Sequence, residues 1–322
     1  MSAIPSNLFR LLVFAGVSLL MLASVQTAFA ANSNGFDLSN SILPVEQILH
    51  GGPPRDGIPA LSRPKFIAAA QADYLRPEDR VIGIVLNGRA RAYPVPILNW
   101  HEIVNDEIEG RRFAITYCPL CGTAVAFAAE IDGIATDFGV SGLLYNSDVL
   151  LYDRDTESLW SQILGKAISG PRAGSSLTRL PISHTTWRDW RARNPGSLVL
   201  SDDTGHFRDY RRDPYAGYEK SRATYFEVNN EAPDDYHPKE VVVGLEVDGI
   251  YKAYPFIELG RQGKQSFSDT VNGRRFDFGW DSANRSVAIT DSSGNPVAAI
   301  QGFWFAWFAF HPDTLVYRAG GS

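Results

Sequence analysis

Two cysteines, the only ones in a chain of 322 residues, lie in the segment Thr-Tyr-Cys-Pro-Leu-Cys-Gly-Thr at residues 116–123. A thiol pair at this spacing can form a disulfide, cycle as a redox couple or bind a metal ion. In the chain-entropy model, a disulfide that closes so short a loop stabilises a protein by only about 2 kcal/mol. A chain of this length can also build a full hydrophobic core without such a cross-link. A purely structural disulfide is therefore weakly motivated.

The segment Cys118-Pro119-Leu120-Cys121-Gly122 is similar to the knuckle of zinc ribbons and rubredoxins, a tight turn between two strands. Proline fixes φ in such a turn, and glycine tolerates the positive φ that follows. Both sulfurs then face one point. A closed tetrahedral zinc site needs four ligands, so the cysteine pair predicts half of a metal site.

Histidines are the first candidates for the missing ligands. The chain has six of them: His50, His101, His184, His206, His237 and His311. His311 follows an apolar and aromatic run, Phe303 to Phe310, which predicts a buried, rigid element, and a residue at the exit of such an element is well placed for binding. His101 occurs in only one of two similar segments described below. We therefore predict Cys118, Cys121, His311 and His101 as metal ligands, with copper or zinc as the soft metal that thiolates and imidazoles select.

Other functions stay open at the level of the sequence. The same two sulfurs could serve a thiol-disulfide oxidoreductase or redox sensor, so Cys118 and Cys121 are also the catalytic candidates. A third alternative is a binding module for envelope components or glycans that contains a structural disulfide. The polar stretch from Asn146 to Asp148 is interpreted as an Asx turn, and Asp153 with Arg154 as a solvated ion pair. The residues do not decide whether the protein is an enzyme.

The chain contains an internal repeat. The segments RPEDRVIGIVLNGRARAYPVPIL at 76–98 and HPKEVVVGLEVDGIYKAYPFIEL at 237–259 align without a gap, and DEIEGRRF at 106–113 aligns with DTVNGRRF at 269–276 after a two-residue shift. We interpret this as a duplicated supersecondary unit. Cys118, Cys121 and His101 have no thiol or imidazole at the matching positions of the second copy, which suggests that one copy contains a site and the other supports it.

Each copy is typical of β structure. Two β-rich runs are joined by Asn-Gly in the first copy and Asp-Gly in the second, which favour two-residue hairpin turns. We predict a mainly β protein, a β-rich α+β fold with a duplicated hairpin unit and a longer irregular insertion between the copies. The predicted organisation is a signal peptide at 1–30, an N-terminal extension at 31–75, a first repeat half with the cysteines and the insertion at 76–200, a connecting loop at 201–236 and a second half at 237–322.

The first thirty residues carry one charged side chain, Arg10, then an apolar run and the small-residue sequence Ala-Phe-Ala that ends at Ala30. This pattern is typical of a removable secretory signal peptide. We expect a periplasmic or extracellular protein after cleavage near Ala30. The net charge is −6, and the absence of a basic run or a second long apolar segment argues against nucleic acid and against a membrane span in the mature chain. A periplasmic redox or metal-delivery partner is compatible with either thiol chemistry.

Several long motifs resemble one known family. They are AYPVPILNWHEIVND, TYCPLCGTAVAF, FGVSGLLYNSDVLLYDRDTESLWSQ, HPKEVVVGLEVDGIYKAYP and FWFAWFAFHPDT, which together span most of the expected mature chain. The chain is similar to an exported bacterial family described as domain of unknown function 3179. The resemblance places His101, Cys118, Cys121 and His311 within shared motifs and implies no particular activity.

Overall fold

The computed structural model describes residues 32–320, so the predicted signal peptide lies outside the described residues. The prediction of a mainly β protein is confirmed, with strands in several sheets and four short α-helices in the described part. The N-terminal strands are β1 (Asn32–Ser33), β2 (Phe36–Asp37), β3 (Ile48–His50), β4 (Leu61–Ser62) and β5 (Phe66–Ala68). The next elements are β6 (Arg80–Leu86), β7 (Arg89–Pro94), α1 (Val95–His101), β8 (Ile103–Ile108), β9 (Arg111–Cys118) and β10 (Thr123–Ala128).

The middle of the chain adds further strands and one helix. These are β11 (Glu130–Ile131), β12 (Ile134–Ala135), β13 (Phe138–Tyr145), β14 (Asp148–Asp153), β15 (Leu159–Ser161), β16 (Lys166–Ser169), β17 (Arg179–Leu180), β18 (Ser183–Thr186), α2 (Trp187–Arg193) and β19 (Leu198–Leu200). The C-terminal elements are β20 (Val241–Val247), β21 (Ile250–Pro255), α3 (Phe256–Gln262), β22 (Ser266–Val271), β23 (Arg274–Asp281), β24 (Ser286–Asp291), β25 (Ile300–Phe303), α4 (Trp304–Phe310) and β26 (Leu315–Val316).

The predicted hairpins form where the sequence places them. β6 and β7 pair antiparallel around Asn87-Gly88, whose φ values are 51° and 73°. β20 and β21 pair in the same way around Asp248-Gly249, with φ values of 50° and 81°. Two consecutive residues with positive φ make the turn that matches the right-handed twist of a hairpin.

Each Tyr-Pro that ends a hairpin is followed by a helix that the sequence analysis did not predict. α1 begins directly after Pro94, and α3 begins directly after Pro255. Each helix has only seven residues and no side-chain cap at its first turn, so the usual start signals are absent. Packing against the adjacent hairpin, and not local propensity, stabilises helices this short.

The two similar segments share more structure than sequence alignment indicates. In the first, β18 pairs antiparallel with β6 and β19 pairs parallel with β7. In the second, β25 and β26 pair with β20 and β21 in the same directions and registers. The first of these segments, extended to include β18, α2 and β19, is called the first unit. The second, extended to include β25, α4 and β26, is called the second unit. The duplication itself stays a prediction.

A tryptophan–glycine contact occurs at the same place in both units. The ring of Trp190 covers Gly83, and the ring of Trp307 covers Gly244, so closely that a Cβ on either glycine would lie 2.1 Å from the ring. Each indole N–H donates a hydrogen bond 2.9 Å long to a hydroxyl seven residues later in the chain. In the first unit, α2 therefore packs closely against the β6–β7 hairpin. In the second unit, α4 packs against the β20–β21 hairpin in the same way.

The sheets bring the first unit, the second unit and the insertion together. A nine-stranded sheet has the order β26-β21-β20-β25-β10-β9-β8-β4, with β17 beside β10. Two five-stranded sheets have the orders β18-β6-β7-β19-β5 and β16-β15-β14-β13-β3, and β22-β23-β24 forms a three-stranded sheet. The predicted N-terminal extension, 31–75, therefore contributes three strands to these sheets: β3, β4 and β5.

The predicted connecting loop, 201–236, has no strand in the structure and one short 3₁₀ helix, Tyr218–Lys220. It packs onto the protein and does not only cross the surface, since Tyr218 and Tyr236 are buried. No helix in the described part of the chain is long and apolar enough to cross a membrane.

Candidate metal centre

The cysteine pair lies in the tight turn between β9 and β10. β9 ends at Cys118, β10 begins at Thr123, and these two residues are paired across the hairpin. Gly122 has a φ of +60°, and a Cβ at this position would lie 3.0 Å from the Phe303 ring. The turn therefore requires glycine for both its backbone conformation and its packing.

A second hairpin approaches the cysteines from the insertion. β13 and β14 are joined by Asn146 and Ser147, with φ values of 52° and 65°. The Ser147 carbonyl oxygen accepts hydrogen bonds from the Cys121 thiol at 3.3 Å and the Cys118 thiol at 3.8 Å. The Asn146 side chain fixes the turn, because its amide donates to the Ala309 carbonyl oxygen.

Asp148, the first residue of β14, completes the group. One potential metal-binding atom from each of Cys118, Cys121 and Asp148 lies within 4.8 Å of the others. Cys118 is 2% exposed, Cys121 is 0% exposed and Asp148 is 1% exposed. Both cysteines are free thiols. The structure thus brings two sulfurs and one carboxylate to a single buried point.

A network of buried polar groups orients the Asp148 carboxyl. Its Oδ2 accepts a hydrogen bond from the backbone N–H of Ile163 at 3.1 Å. Its Oδ1 lies 3.2 Å from the Thr123 hydroxyl, which is closer to Gln162 Oε1, at 2.7 Å. The Thr123 hydroxyl has one proton, which it shares between two acceptors, Asp148 Oδ1 and Gln162 Oε1.

Burial has the same effect on all three groups. It raises the pKa of Asp148 to about 7, raises the pKa of the Cys118 thiol, and raises the pKa of Cys121 well above its usual value. Neighbouring acidic groups add to the increase at both thiols. Among the described residues, no Lys or Arg is one of the groups that act most strongly on these three pKa values. Without a cation, burial therefore favours the protonated form of all three groups.

Glu102 is a fourth acidic group at this site. It is 7% exposed, and burial, with a smaller contribution from Asp148, raises its pKa to about 8. Together with Cys118 it lines a cleft of about 280 Å³. The rest of the wall is mostly apolar and includes Tyr215, Tyr225 and Phe226 from the loop 201–236.

His101 lies in a different environment from the cysteines. Its Nδ1 is 2.7 Å from the Pro59 carbonyl oxygen, so Nδ1 donates, and Nε2 accepts from the Tyr210 hydroxyl at 2.6 Å. Burial lowers the pKa of His101 to about 4. Both ring nitrogens are therefore engaged in hydrogen bonds of a neutral imidazole.

His311 follows α4, as the sequence predicts, but its ring packs against aromatic side chains. It stacks on the Tyr251 ring with centroids 3.9 Å apart, and burial lowers its pKa to about 4. Its backbone N–H caps the helix by donating to the Trp307 carbonyl oxygen, as Asn194 does with Trp190 in the first unit. The group of potential metal ligands in the described residues contains neither His101 nor His311. The histidine ligands stay a prediction.

The chain matches the model of a family described as Protein of unknown function (DUF3179) over residues 55–314. The chain belongs to this family. This match confirms the resemblance stated from the motifs, and it contains the cysteine turn, Glu102 and Asp148. No curated protein and no solved structure matches the chain.

Two residues of the site, Asp148 and Glu102, were not predicted from the sequence. Asp148 was interpreted only as part of an Asx turn, whereas its carboxyl is buried beside the thiols. The polar segment Asn-Ser between two apolar runs was a usable hairpin signal. Glu102 was also identifiable, since the ungapped repeat places it opposite Gly263.

A related interpretation was wrong. Asp153 does not form a solvated pair with Arg154: it is fully buried and accepts a hydrogen bond from the Trp160 indole N–H at 2.9 Å. Arg154 instead forms an ion pair with Asp56 at 2.9 Å.

Proposed function

We propose that the protein binds one metal ion, Zn(II), through Cys118, Cys121 and Asp148. The observation that carries this proposal is the position of two thiol sulfurs and a carboxylate oxygen within 4.8 Å of one another in a buried site. Zinc–sulfur bonds of about 2.3 Å in a tetrahedron place two sulfurs about 3.8 Å apart. Small side-chain movements are therefore sufficient to bring all three ligands onto one ion.

Charge supports a cation at this point. Ionised, the three groups would place three negative charges in a buried site, and burying unpaired charge is strongly unfavourable. A divalent ion would compensate most of that charge and would displace the protons that burial otherwise retains. The raised pKa values of Asp148 and both cysteines fit a site that exchanges protons for metal.

The donor types favour zinc over copper. Thiolate sulfur is a ligand for both Cu(I) and Zn(II), but a carboxylate oxygen suits the harder ion. Zinc commonly combines Cys with Asp or Glu oxygen. Three protein ligands leave a fourth position for solvent, the Ser147 carbonyl oxygen or a bound molecule.

The direct test is metal content. Reduced protein, incubated with Zn(II) and passed through a desalting column, is expected to retain about one equivalent, since thiolate zinc sites bind with roughly 10 kcal/mol or more. The double variant Cys118→Ser, Cys121→Ser is expected to retain almost none, and Asp148→Asn to bind much more weakly. Wild-type protein without bound metal under these conditions contradicts the proposal.

Two histidine variants serve as matched controls. His311→Asn introduces the residue that the first unit has at the equivalent helix end, and His101→Gln keeps a hydrogen-bonding side chain. Both are expected to retain zinc with wild-type affinity. Loss of zinc in either variant, with retention in Asp148→Asn, would instead favour the ligand set predicted from sequence.

The thiol-disulfide alternative has less support. Reactive cysteines have lowered pKa values and partial exposure, whereas burial raises the pKa of Cys118 and that of Cys121. A thiol titration that showed a pKa well below about 8.5 for either cysteine in metal-free protein would favour the redox function.

The proposal of export depends on the first thirty residues alone. N-terminal sequencing of protein recovered from the native source is expected to begin near Ala31. In an oxidising compartment two adjacent thiols tend to form a disulfide, and bound zinc would hold them as thiolates.

A further inference from the structure

A second and larger cleft contains residues from the β9–β10 turn, the β23–β24 turn and the start of β6. Its volume is about 730 Å³, within the range of small-molecule pockets, about 300–1,000 Å³. We call it the basic cleft, because its charged lining residues are mostly basic: Arg80, Lys220, Lys239 and Arg285, against Glu219 and Glu240. In a chain with a net charge of −6, this local excess of positive charge favours an anionic ligand.

Arg80 has no carboxylate partner in the described residues. Its guanidinium, half-buried, donates only to backbone carbonyl oxygens, those of Asn284 at 2.5 Å, His184 at 2.7 Å and Arg285 at 3.1 Å. These bonds use three of its five N–H groups. Burial and the nearby charge of Arg285 lower the pKa of Arg80 to about 10, so the group is still charged at pH 7. Because a desolvated cation without a counter-charge is unfavourable, a bound anion would stabilise it.

Arg285 adds a second guanidinium to the basic cleft. It lies over the Phe256 ring, 5.6 Å from the ring centroid, and forms no ion pair within residues 32–320. Its φ is 45°, a left-handed conformation that favours glycine. The two-residue shift of the repeat places it opposite Gly122, whose φ is 60°. Arginine thus occupies a turn position where the other copy has glycine, and strained residues of this kind cluster at functional sites.

The Tyr117 hydroxyl is a further unused donor. Tyr117 is 8% exposed and lines the basic cleft, but in the described part of the chain its hydroxyl has no hydrogen-bond partner. Buried hydroxyls are generally bonded, so this one is available to a molecule in the cleft. Cys118, the next residue of β9, lines the smaller, mostly apolar cleft beside Glu102, as expected from alternation along a strand. The basic cleft is therefore separate from the thiols.

The acidic residues of the basic cleft do not pair with the two guanidiniums. Glu240 Oε1 accepts a hydrogen bond from the backbone N–H of Ile257 at 2.8 Å, in the first turn of α3. Glu219 is exposed and forms no ion pair among residues 32–320. Lys239 is buried and donates to the carbonyl oxygens of Ser221 and Ala223, so its charge is also uncompensated.

These donors fit a phosphate group better than a carboxylate. A phosphate monoester carries a charge of about −1.5 to −2 at pH 7 and has three strong acceptor oxygens, whereas a carboxylate has one charge and two oxygens. A guanidinium binds such oxygens in pairs through its planar fork. Two guanidiniums and a hydroxyl therefore match a phosphate in both charge and number of donors. Phe256 and Phe303 also line the cleft and provide an apolar surface for an organic group.

We propose that the basic cleft binds a small organic phosphate, whose phosphate group lies between Arg80 and Arg285 and accepts a hydrogen bond from the Tyr117 hydroxyl. The organic part contacts the Phe256 and Phe303 rings. This inference does not depend on the metal site, so protein with and without zinc is expected to bind the phosphate equally well.

The test is titration calorimetry of reduced protein with phenyl phosphate, at pH 7 and low ionic strength, in a buffer free of phosphate. We expect one equivalent to bind with a Kd of about 0.1 mM or tighter, and salt to weaken the binding. Benzoate is the second probe, because it keeps the ring and replaces the phosphate by a carboxylate. It is expected to bind more weakly by about tenfold or more.

Two substitutions locate the binding site. Arg285→Gln removes an exposed guanidinium without a protein partner, so it is expected to leave the fold intact and to weaken phenyl phosphate binding by about tenfold or more. Tyr117→Phe removes only the unbonded hydroxyl and is expected to weaken binding by about three- to tenfold with unchanged thermal stability. Arg188→Gln is the matched control, because Arg188 is also exposed and does not line the cleft.

The result that supports the inference is tight binding of phenyl phosphate that is lost in Arg285→Gln and kept in Arg188→Gln. No binding to the wild type overturns it, and so does equal binding of benzoate. Equal losses in Arg285→Gln and Arg188→Gln would show that only the overall charge matters. Binding that requires zinc would place the phosphate on the metal ion and would also overturn the site at the basic cleft.

Discussion

Glu102→Gly is expected to stabilise the metal-free protein. The backbone of Glu102 has φ 58°, and a non-glycine residue in such a conformation costs about 1–2 kcal/mol. The pKa of Glu102 is raised from 4.5 to about 8, so at pH 7 folding must protonate a carboxyl that is ionised in the unfolded chain. With about 1.36 kcal/mol per unit of pKa, that protonation costs about 3 kcal/mol.

Glycine offsets part of this gain, because it has greater backbone freedom in the unfolded chain, worth about 1 kcal/mol. The expected net increase in the free energy of unfolding is about 3 to 4 kcal/mol at pH 7. The folded state of the wild type binds the extra proton between the two pKa values, so its stability falls as pH rises from 4.5 to about 8. Near pH 4 the advantage of Glu102→Gly should therefore shrink to the backbone strain minus the entropy of glycine, about 0 to 1 kcal/mol.

The assay is urea unfolding of reduced, chelator-treated protein across this pH range, monitored by tryptophan fluorescence. Gly263→Ala is the matched control, since a Cβ on Gly263 would meet no atom within 4 Å and the change tests left-handed strain alone. It is expected to destabilise by about 1 kcal/mol. A Glu102→Gly protein that is no more stable than wild type at pH 7, or a gain that does not depend on pH, would refute the reasoning.

Three further predictions concern the scaffold and its response to acid. Gly122→Ala is expected to lower the free energy of unfolding by about 1–2 kcal/mol and to weaken zinc binding, because φ is +60° and the new Cβ would lie 3.0 Å from the Phe303 ring. Urea unfolding and zinc titration measure the two effects. A variant with unchanged stability and zinc affinity would contradict the packing argument. Gly244→Ala would place a Cβ 2.1 Å from the Trp307 ring and is expected to cost about 3 kcal/mol, so an unchanged melting temperature would be inconsistent with this contact. The pKa of His311 falls from 6.5 to about 4 on folding. The unfolded chain therefore binds this proton at a higher pH than the folded chain, and stability is lost as pH drops from 6.5 to about 4. His311→Asn should remove up to about 3 kcal/mol of that loss, and equal acid sensitivity in the wild type and the variant would contradict this prediction.

The hairpins were predictable because their signal is local. Asn87-Gly88 and Asp248-Gly249 favour positive φ at both turn positions, whatever the rest of the chain does. The helices α1 and α3 were not predictable in the same way. They are two turns long and lack capping side chains, and only contact with the adjacent hairpin makes them stable.

Half of the candidate site was predictable for a similar reason. Cys118 and Cys121 share one turn, so their spacing alone indicates that both sulfurs face one point. Asp148 comes from another hairpin in a different sheet, and no local pattern reports such a contact. His311 was chosen for its rigid position, which the structure shows, but the side chain stacks on Tyr251.

The comparison of the two units was the most informative use of the sequence. It identified Cys118 and Cys121 as residues without counterparts. The second unit has an Asx turn there instead, in which Asp281 accepts a hydrogen bond from the Ala283 N–H at 2.9 Å. Applied one helix earlier, the same comparison also identifies Glu102 opposite Gly263. Differences between the units therefore mark Cys118, Cys121 and Glu102 at the candidate site, but they also mark His101, which lies in a different environment.

The central claim is that Asp148, and not a histidine, binds a metal together with the two cysteines. X-ray absorption spectroscopy of the zinc-loaded protein tests it most directly, because sulfur, oxygen and imidazole ligands give different scattering. If Asp148 is the third ligand, the spectrum should show two sulfurs at about 2.3 Å and oxygen ligands at about 2.0–2.2 Å, with no imidazole signal and with loss of an oxygen ligand in Asp148→Asn. An imidazole signal that disappears in His311→Asn or His101→Gln would contradict it.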